Sequence, residues 1–420
     1  MKIDKIVVKI ASRCNINCSY CYMYNLGDLS YKLQPKFIES TTTENFVKKI
    51  LSHLLENKID ALGIIIHGGE PLLMNKSEFE IFINHFNILK DNKIKVFFYL
   101  QTNAILIDNE WCKLFKKYDI NIGVSLDGEK NENDKFRVDK NGNGTYEKVI
   151  NGIQVLKNNN LSTGILSVMN LQSDPIEYYN HFKSLNLKSV EILLLDANYD
   201  TKDSVFNNII SPAEWYIEIF NKWYSEDKQN YRIRLFDMII KEIIGENQSL
   251  DSLGISENNV LVLETNGDLE AVDVLKACGD SFTKNGININ THEIDEISKS
   301  ELIDVYYNSG KYLPRKCLAC PVQEICGGGY LPHRYSSLNG FNNPTIYCDD
   351  LLRLITHIQN AVIDSLPIEL KIETGISKLT YEDAKIIIEK KLSDITDPEY
   401  TSKLESFKND KYKLFSNVKE

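Results

Sequence analysis

The chain has 420 residues, 43% hydrophobic and 25% charged, with a net charge of −11, material enough for a large core or for two to three domains. That acidic balance, with no long basic stripe, excludes a nucleic-acid binder, because neutralising phosphates needs a basic surface. No apolar run approaches a membrane span or a signal peptide, so a cytoplasmic protein without a membrane partner is expected, and its nine cysteines read as metal ligands or reactive thiols rather than disulfides.

In chain order, the apolar run KIVVKIA predicts a first strand, and RCNINCSYCY directly after it places Cys14, Cys18 and Cys21 on one short loop. A helix over TENFVKKILSHLLEN, a strand over LGIIIH, and a helix opened by Ser77 with Glu80 at capping-box spacing come next. Four more strands, in KVFFYLQTN, NIGVSLDG, LSTGILSVMN and KSVEILLLD, alternate with amphipathic helices. Six β-branched runs separated by helices describe repeated βα units on a parallel sheet. The predicted fold is α/β: a partial (βα)6 barrel over residues 1–200, whose chemistry gathers at the carboxyl ends of its strands. The cysteine loop, HGGEP, QTN and SLDG would all sit on that rim.

A different texture begins near residue 200. Residues 201–254 read as a helical linker, with Ser211 capping a helix, Pro212 at its first position and Glu214 closing a box. Residues 255–350 are loop-rich and hold Cys278, Cys317, Cys320, Cys326 and Cys348, as an iron–sulfur-binding module would. Residues 351–420 read as terminal helices, one capped by Thr380.

Thiolates spaced C-x3-C-x2-C can surround one iron–sulfur cube while leaving one iron without a protein ligand, an open position where a substrate or cofactor binds. On spacing alone, a zinc site or three incidental buried thiols are the plainer alternatives. The wider context resembles the radical S-adenosylmethionine (SAM) superfamily over residues 1 to about 200: the three-cysteine loop with Tyr20 before its last cysteine, then HGGEP, QTNA, VSLDG and DKFRVDKNGNGTY. The resemblance implies a 4Fe–4S cluster on Cys14, Cys18 and Cys21, with SAM chelated to the fourth iron and cleaved to a 5′-deoxyadenosyl radical. It also implies that Gly68 and Gly69 admit the cofactor, that Glu70 accepts its amino group, and that Ser125 and Arg137 meet its ribose or carboxylate. Tyr20 and Gln101 join this cofactor-binding set. His67 reads as a structural strand-end residue.

CLACPVQEIC gives C-x2-C-x5-C at Cys317, Cys320 and Cys326, with Cys348 following. Four thiolates close a site, which makes this centre structural or electron-transferring. The region resembles the SPASM extension of peptide-modifying radical enzymes, but Tyr330 and Val272 stand where two ligands of a further cluster would be, which implies one auxiliary 4Fe–4S cluster rather than two. Cys278 is left as a core thiol, a ligand from an unusual direction or a hydrogen-atom donor; Cys112, beside Trp111, Leu114 and Phe115, reads as core.

The stretch CGGGYLPHRYSSLNGFNNPTIYC, with VDVLKACG upstream, is similar to maturases that join an aromatic ring to a nearby β-carbon, giving a cyclophane in a ribosomally made peptide. The expected function is therefore a peptide-crosslinking oxidoreductase, with epimerisation, thioether formation and sulfatase maturation as rival outcomes and a non-enzymatic metal-stapled binder as the rival of another class. A precursor peptide and an external electron donor are the implied partners. Because the chain opens on its first barrel strand, a leader-gripping domain is expected to be absent or to reside on a separate protein. Asp127 and Asp273 are the candidate general bases by loop position.

Overall fold

The structure is a computed structural model that describes residues 1–206, 210–226, 231–246 and 251–409. The chain divides into two compact units: Met1–Asn170 with Asn180–Leu193 and Asn259–Tyr307, and Leu171–Tyr179 with Leu194–Asn258 and Asn308 onward. Among the described residues no helix is long and apolar enough to cross a membrane.

The first unit is built on β1 (Lys5–Ala11), β2 (Ile16–Cys18), β3 (Ala61–Gly68), β4 (Lys95–Thr102), β5 (Ile120–Ser125), β6 (Arg137–Asp139), β7 (Thr163–Val168) and β8 (Ser189–Leu193). After β9 (Arg232–Ile233), which belongs to the second unit, it resumes with β10 (Val260–Leu263) and β11 (Leu269–Glu270). Strands β1, β3, β4, β5, β7 and β8 pair in parallel in that order. These are the six predicted strands in their predicted succession. Their parallel pairing requires crossovers, and helices such as Ser40–Glu56 and Tyr146–Asn158 supply them.

Alternation decides which face is which. Along β3, Leu62, Ile64 and Ile66 are fully buried, while Gly63, Ile65 and His67 face the other side and are half-buried. Ile6, Val8 and Ile10 of β1 and Phe98 and Leu100 of β4 continue the buried face. The sheet stays open rather than closing into a barrel. Its β1 edge is extended by β10, parallel, and β11, antiparallel. That extension draws Asn259–Tyr307 into the first unit, although the sequence groups residues 255–350 as one module. A four-residue strand, VLVL, pairs only because β1 offers it an edge.

One cap moves. The helix expected to open at Ser77 spans Lys76–His85, and its cap is Asn75, whose side chain accepts from Glu78 N; Asn is at least as good a cap as Ser and stands two residues nearer the strand. The other two caps stand as read. Ser211 and Glu214 form a reciprocal box on Pro212–Ser225, and Thr380 caps Tyr381–Leu392. In the second unit Pro212–Ser225 packs on Cys348–Ser365, and Ala213 N donates to Asp350 at 3.0 Å.

Candidate active site

β1 ends at Ala11, and the chain turns through Cys14 into β2, which pairs antiparallel with β6 so that Cys18 stands opposite Arg137. A turn from Cys18 O to Cys21 N, 3.1 Å, brings the third thiol back. The loop is clamped to the next strand end: Gly69 N donates to Ala11 O at 2.8 Å and Glu70 N to Arg13 O at 2.9 Å. Both glycines are needed for that approach. A Cβ on Gly68, at φ +137°, would lie 2.1 Å from Ala11 O, and one on Gly69 would lie 2.1 Å from Tyr24 Oη and 2.3 Å from Arg13 O. The structure thus shows what the glycines of HGGEP admit, which is the backbone of the cysteine loop.

Glu70 is buried, and burial pushes its carboxyl above the usual range. Its Oε1 accepts from Leu72 N and Thr102 Oγ1, and its Oε2 from Asn103 N. A carboxylate offers about four acceptor positions, so one remains. Asn103 also reaches the cysteine loop, donating to Asn15 Oδ1 at 2.8 Å.

Tyr20, Asp127 and Arg137, from three separate segments, form one buried cluster. Tyr20 donates its phenol hydrogen to Asp127 and accepts from Arg137 Nη1 at 2.7 Å; Arg137 lies 3.7 Å from the same carboxylate. The other oxygen of Asp127 accepts from Val168 N at 3.0 Å. Each oxygen of Asp127 thus already accepts one bond from the protein, which anchors Tyr20 and the end of β7 to it. Arg137 Nε is buried without a partner, a donor that costs on the order of 1–3 kcal/mol unless a ligand accepts from it. Gln101 Nε2 donates to Ser125 Oγ at 2.8 Å, so those two predicted residues are also together.

A second cluster was not foreseen apart from Asp273. Lys9 of β1, fully buried, pairs with Asp273, and Tyr22 Oη donates to the same Oδ2 at 2.8 Å. Burial alone would raise the Asp273 carboxyl, but the Lys9 ammonium, His67 and these bonds hold it well below the usual carboxylate range. His67 Nδ1 lies 3.2 Å from Lys9 Nζ, and burial followed by the Lys9 charge lowers its pKa to about 4. Behind it, Lys276 bridges Glu264 at 3.1 Å and Glu270 at 3.0 Å, all three buried. Cys278 is buried on the same short helix as Asp273, and Cys112 is fully buried as expected.

None of the nine cysteines is in a disulfide. Burial pushes Cys14 up to about 12 and Cys21 to about 11. A bare thiolate is thus disfavoured on the loop, whereas a metal that binds thiolate offsets that cost. No three His, Cys, Asp or Glu side chains among the described residues are gathered closely enough to hold a single metal ion. In the second unit Cys317, Cys320, Cys326 and Cys348 line one pocket, together with Val322, Leu352 and Ile388. An apolar pocket walled by four thiols suits an iron–sulfur or zinc centre in its donor set. Cys278 is not part of that wall.

Residues 8–179 match the model of the Radical SAM superfamily. The cysteine-type anaerobic sulfatase-maturating enzyme of Clostridium novyi (strain NT) is 25% identical over 390 residues, 91% of this chain and 97% of the relative. The serine-type enzyme of Bacteroides thetaiotaomicron is 26% identical, covering 79% of this chain and 83% of the relative. The solved structure of native anSMEcpe with bound AdoMet and Cp18Cys peptide superposes with a TM-score of 0.72 at 20% identity, over 86% of this chain and 98% of that one, which supports the fold. The chain carries a radical SAM domain over residues 8–179 and is a radical SAM enzyme.

Proposed function

We propose that the protein matures a peptide or protein substrate by oxidising a side chain, in the manner of the anaerobic sulfatase-maturating enzymes. The observation that carries this reading is similarity over nearly the whole length of those relatives, both units included. In this reading Cys14, Cys18 and Cys21 hold the 4Fe–4S cluster, and Cys317, Cys320, Cys326 and Cys348 hold one auxiliary cluster. When bound, the first cluster and SAM supply the 5′-deoxyadenosyl radical that removes a hydrogen atom from the substrate.

The protein's own residues bind and orient. Glu70 offers its one remaining acceptor position to the SAM amino group, and Arg137, pinned by Tyr20 and Asp127, offers Nε to the carboxylate. Gln101 and Ser125 face the ribose. Asp273, held ionised by Lys9, accepts the proton that leaves the substrate. An external reductant supplies the electron for SAM cleavage, the auxiliary cluster would accept the electron that the oxidised substrate releases, and nine cysteines outside any disulfide suit a reducing cytoplasm. A separate leader-binding protein remains a possible partner of the peptide.

The cyclophane outcome stands second, supported by the motif between Cys326 and Cys348. Tandem mass spectrometry separates the two. Reduced, reconstituted enzyme is given SAM with a sulfatase-derived peptide bearing Cys or Ser, or with an aromatic-rich precursor peptide. Modification at the Cys or Ser, with an intact fragment ladder, supports the first reading. Loss of two hydrogens from the aromatic peptide alone, with fragments missing between the joined residues, would replace it with the second.

A further inference from the structure

Arg334 is fully buried, and its guanidinium donates to four backbone carbonyls: Asn343 O at 3.2 Å, Ser309 O at 2.9 Å, Phe341 O at 3.3 Å and Tyr312 O. Among the described residues no carboxylate pairs with it. Carbonyl dipoles take four of its five hydrogens but leave a full positive charge in the interior, which proteins rarely tolerate without an anion nearby. A guanidinium does not escape by losing its proton.

The cavity of four cysteines lies on the same side. A Cβ placed on Gly328 would stand 3.6 Å from Arg334 Nη1 and 3.9 Å from Cys317 Sγ. The guanidinium and the thiol therefore lie on either side of Gly328, which lines the cavity at φ +77° and packs against Leu313, whose Cδ2 would stand 2.6 Å from that Cβ. Nη1 has spent one of its two hydrogens, on Ser309 O. Lys316 also lines the cavity, its charge acting on Cys348; its side chain is 42% exposed and lies 3.9 Å from Asp349. As neutral thiols the four cysteines would leave Arg334 without an anion. As thiolates around a 4Fe–4S core they carry a net negative charge.

We propose that Arg334 is the built-in counter-charge of an anionic iron–sulfur centre on Cys317, Cys320, Cys326 and Cys348, with Lys316 a second cation, and that together they raise the centre's reduction potential. The inference rests on the auxiliary-cluster part of the proposed function and goes beyond it. The reason is electrostatic: the centre gains one electron from an external reductant with no bond broken, its net charge becomes more negative, and a fixed cation favours that state.

The test uses the full chain with Cys14, Cys18 and Cys21 changed to Ala, so that no radical chemistry contributes. Iron and sulfide content and electron paramagnetic resonance are followed during a dithionite-poised redox titration. The expected result is one 4Fe–4S centre whose reduction equilibrium falls at least tenfold in Arg334→Gln, 59 mV for one electron, and by less than tenfold in Arg334→Lys, which keeps the charge. Lys316→Gln, at a partly exposed position, gives a second measurement should the Arg334 variants not fold, and its potential also falls. An unchanged potential in Arg334→Gln, an Arg334→Lys potential as low as that of Arg334→Gln, or, in the absence of folded Arg334 variants, an unchanged potential in Lys316→Gln would each overturn the proposal. So would zinc in place of iron, or no metal at all. Because the readout is a potential in protein unable to cleave SAM, failure here is distinguishable from failure to modify a peptide.

Discussion

Arg137 stands directly opposite Cys18 in the β2–β6 ribbon, and its Nη1 donates to Tyr20 Oη at 2.7 Å. A cation is thereby fixed beside the cysteine loop by the same ribbon that shapes the loop. Removing the guanidinium as Arg137→Met deletes a charge-assisted bond of about 1.5–3 kcal/mol, so SAM affinity should fall roughly 10- to 100-fold. Calorimetric titration of SAM into reconstituted protein checks this; unchanged affinity would remove Arg137 from the cofactor site.

Gly69 tests the clamp between HGGEP and the loop. In Gly69→Ala the new methyl meets Tyr24 Oη and Arg13 O, both inside 2.5 Å, and such overpacking costs about 1–3 kcal/mol. Urea unfolding should show the loss. Adding Tyr24→Phe should not restore it, since the Arg13 carbonyl belongs to the backbone.

Lys9 and Asp273 form a buried pair, so removing one partner leaves the other uncompensated. Lys9→Met is expected to cost about 3–5 kcal/mol, and Lys9→Met/Asp273→Asn less than the sum of the single changes. Denaturant titration of all three variants measures the coupling, and simple additivity would show that the pair does not interact.

His67 predicts a pH dependence. Its folded pKa is lowered from 6.5 to about 4 by burial and then by the Lys9 ammonium. Between those values the unfolded chain binds a proton that the folded chain does not, so stability rises with pH through that window and is lost on acidification. The contribution is up to roughly 3 kcal/mol. Urea midpoints of the metal-free protein from pH 7 to pH 4 should decline, and His67→Gln should flatten that decline.

The fold was legible where neighbouring residues carry the signal. Alternating β-branched runs disclosed six parallel strands, and the motifs after them, Cys14 to Cys21, HGGEP and SLDG, lie at strand ends that the topology brings to one rim. What stayed hidden depends on distant pairing. Lys9 reads as an interruption in an apolar strand until β10, β11 and the short helix Asp273–Cys278 after them bring Asp273 beside it. The open sheet edge was equally silent, because VLVL is too short to announce a strand. Asp127 reads as a base from its loop position alone, and its bonds to Tyr20 and Val168 come from segments the sequence does not bring together. Arg334, inside a loop of aromatic and polar residues, carried no sign that it would be buried without a carboxylate.

The account turns on three thiols that leave one iron free for SAM. The most direct measurement is anaerobic incubation of reconstituted, dithionite-reduced protein with SAM, with 5′-deoxyadenosine and methionine quantified against the Cys14→Ala/Cys18→Ala/Cys21→Ala variant. The account predicts both products from the intact protein and none above background from the variant. Absence of both products from intact, cluster-loaded protein, or equal amounts from the variant, would contradict it.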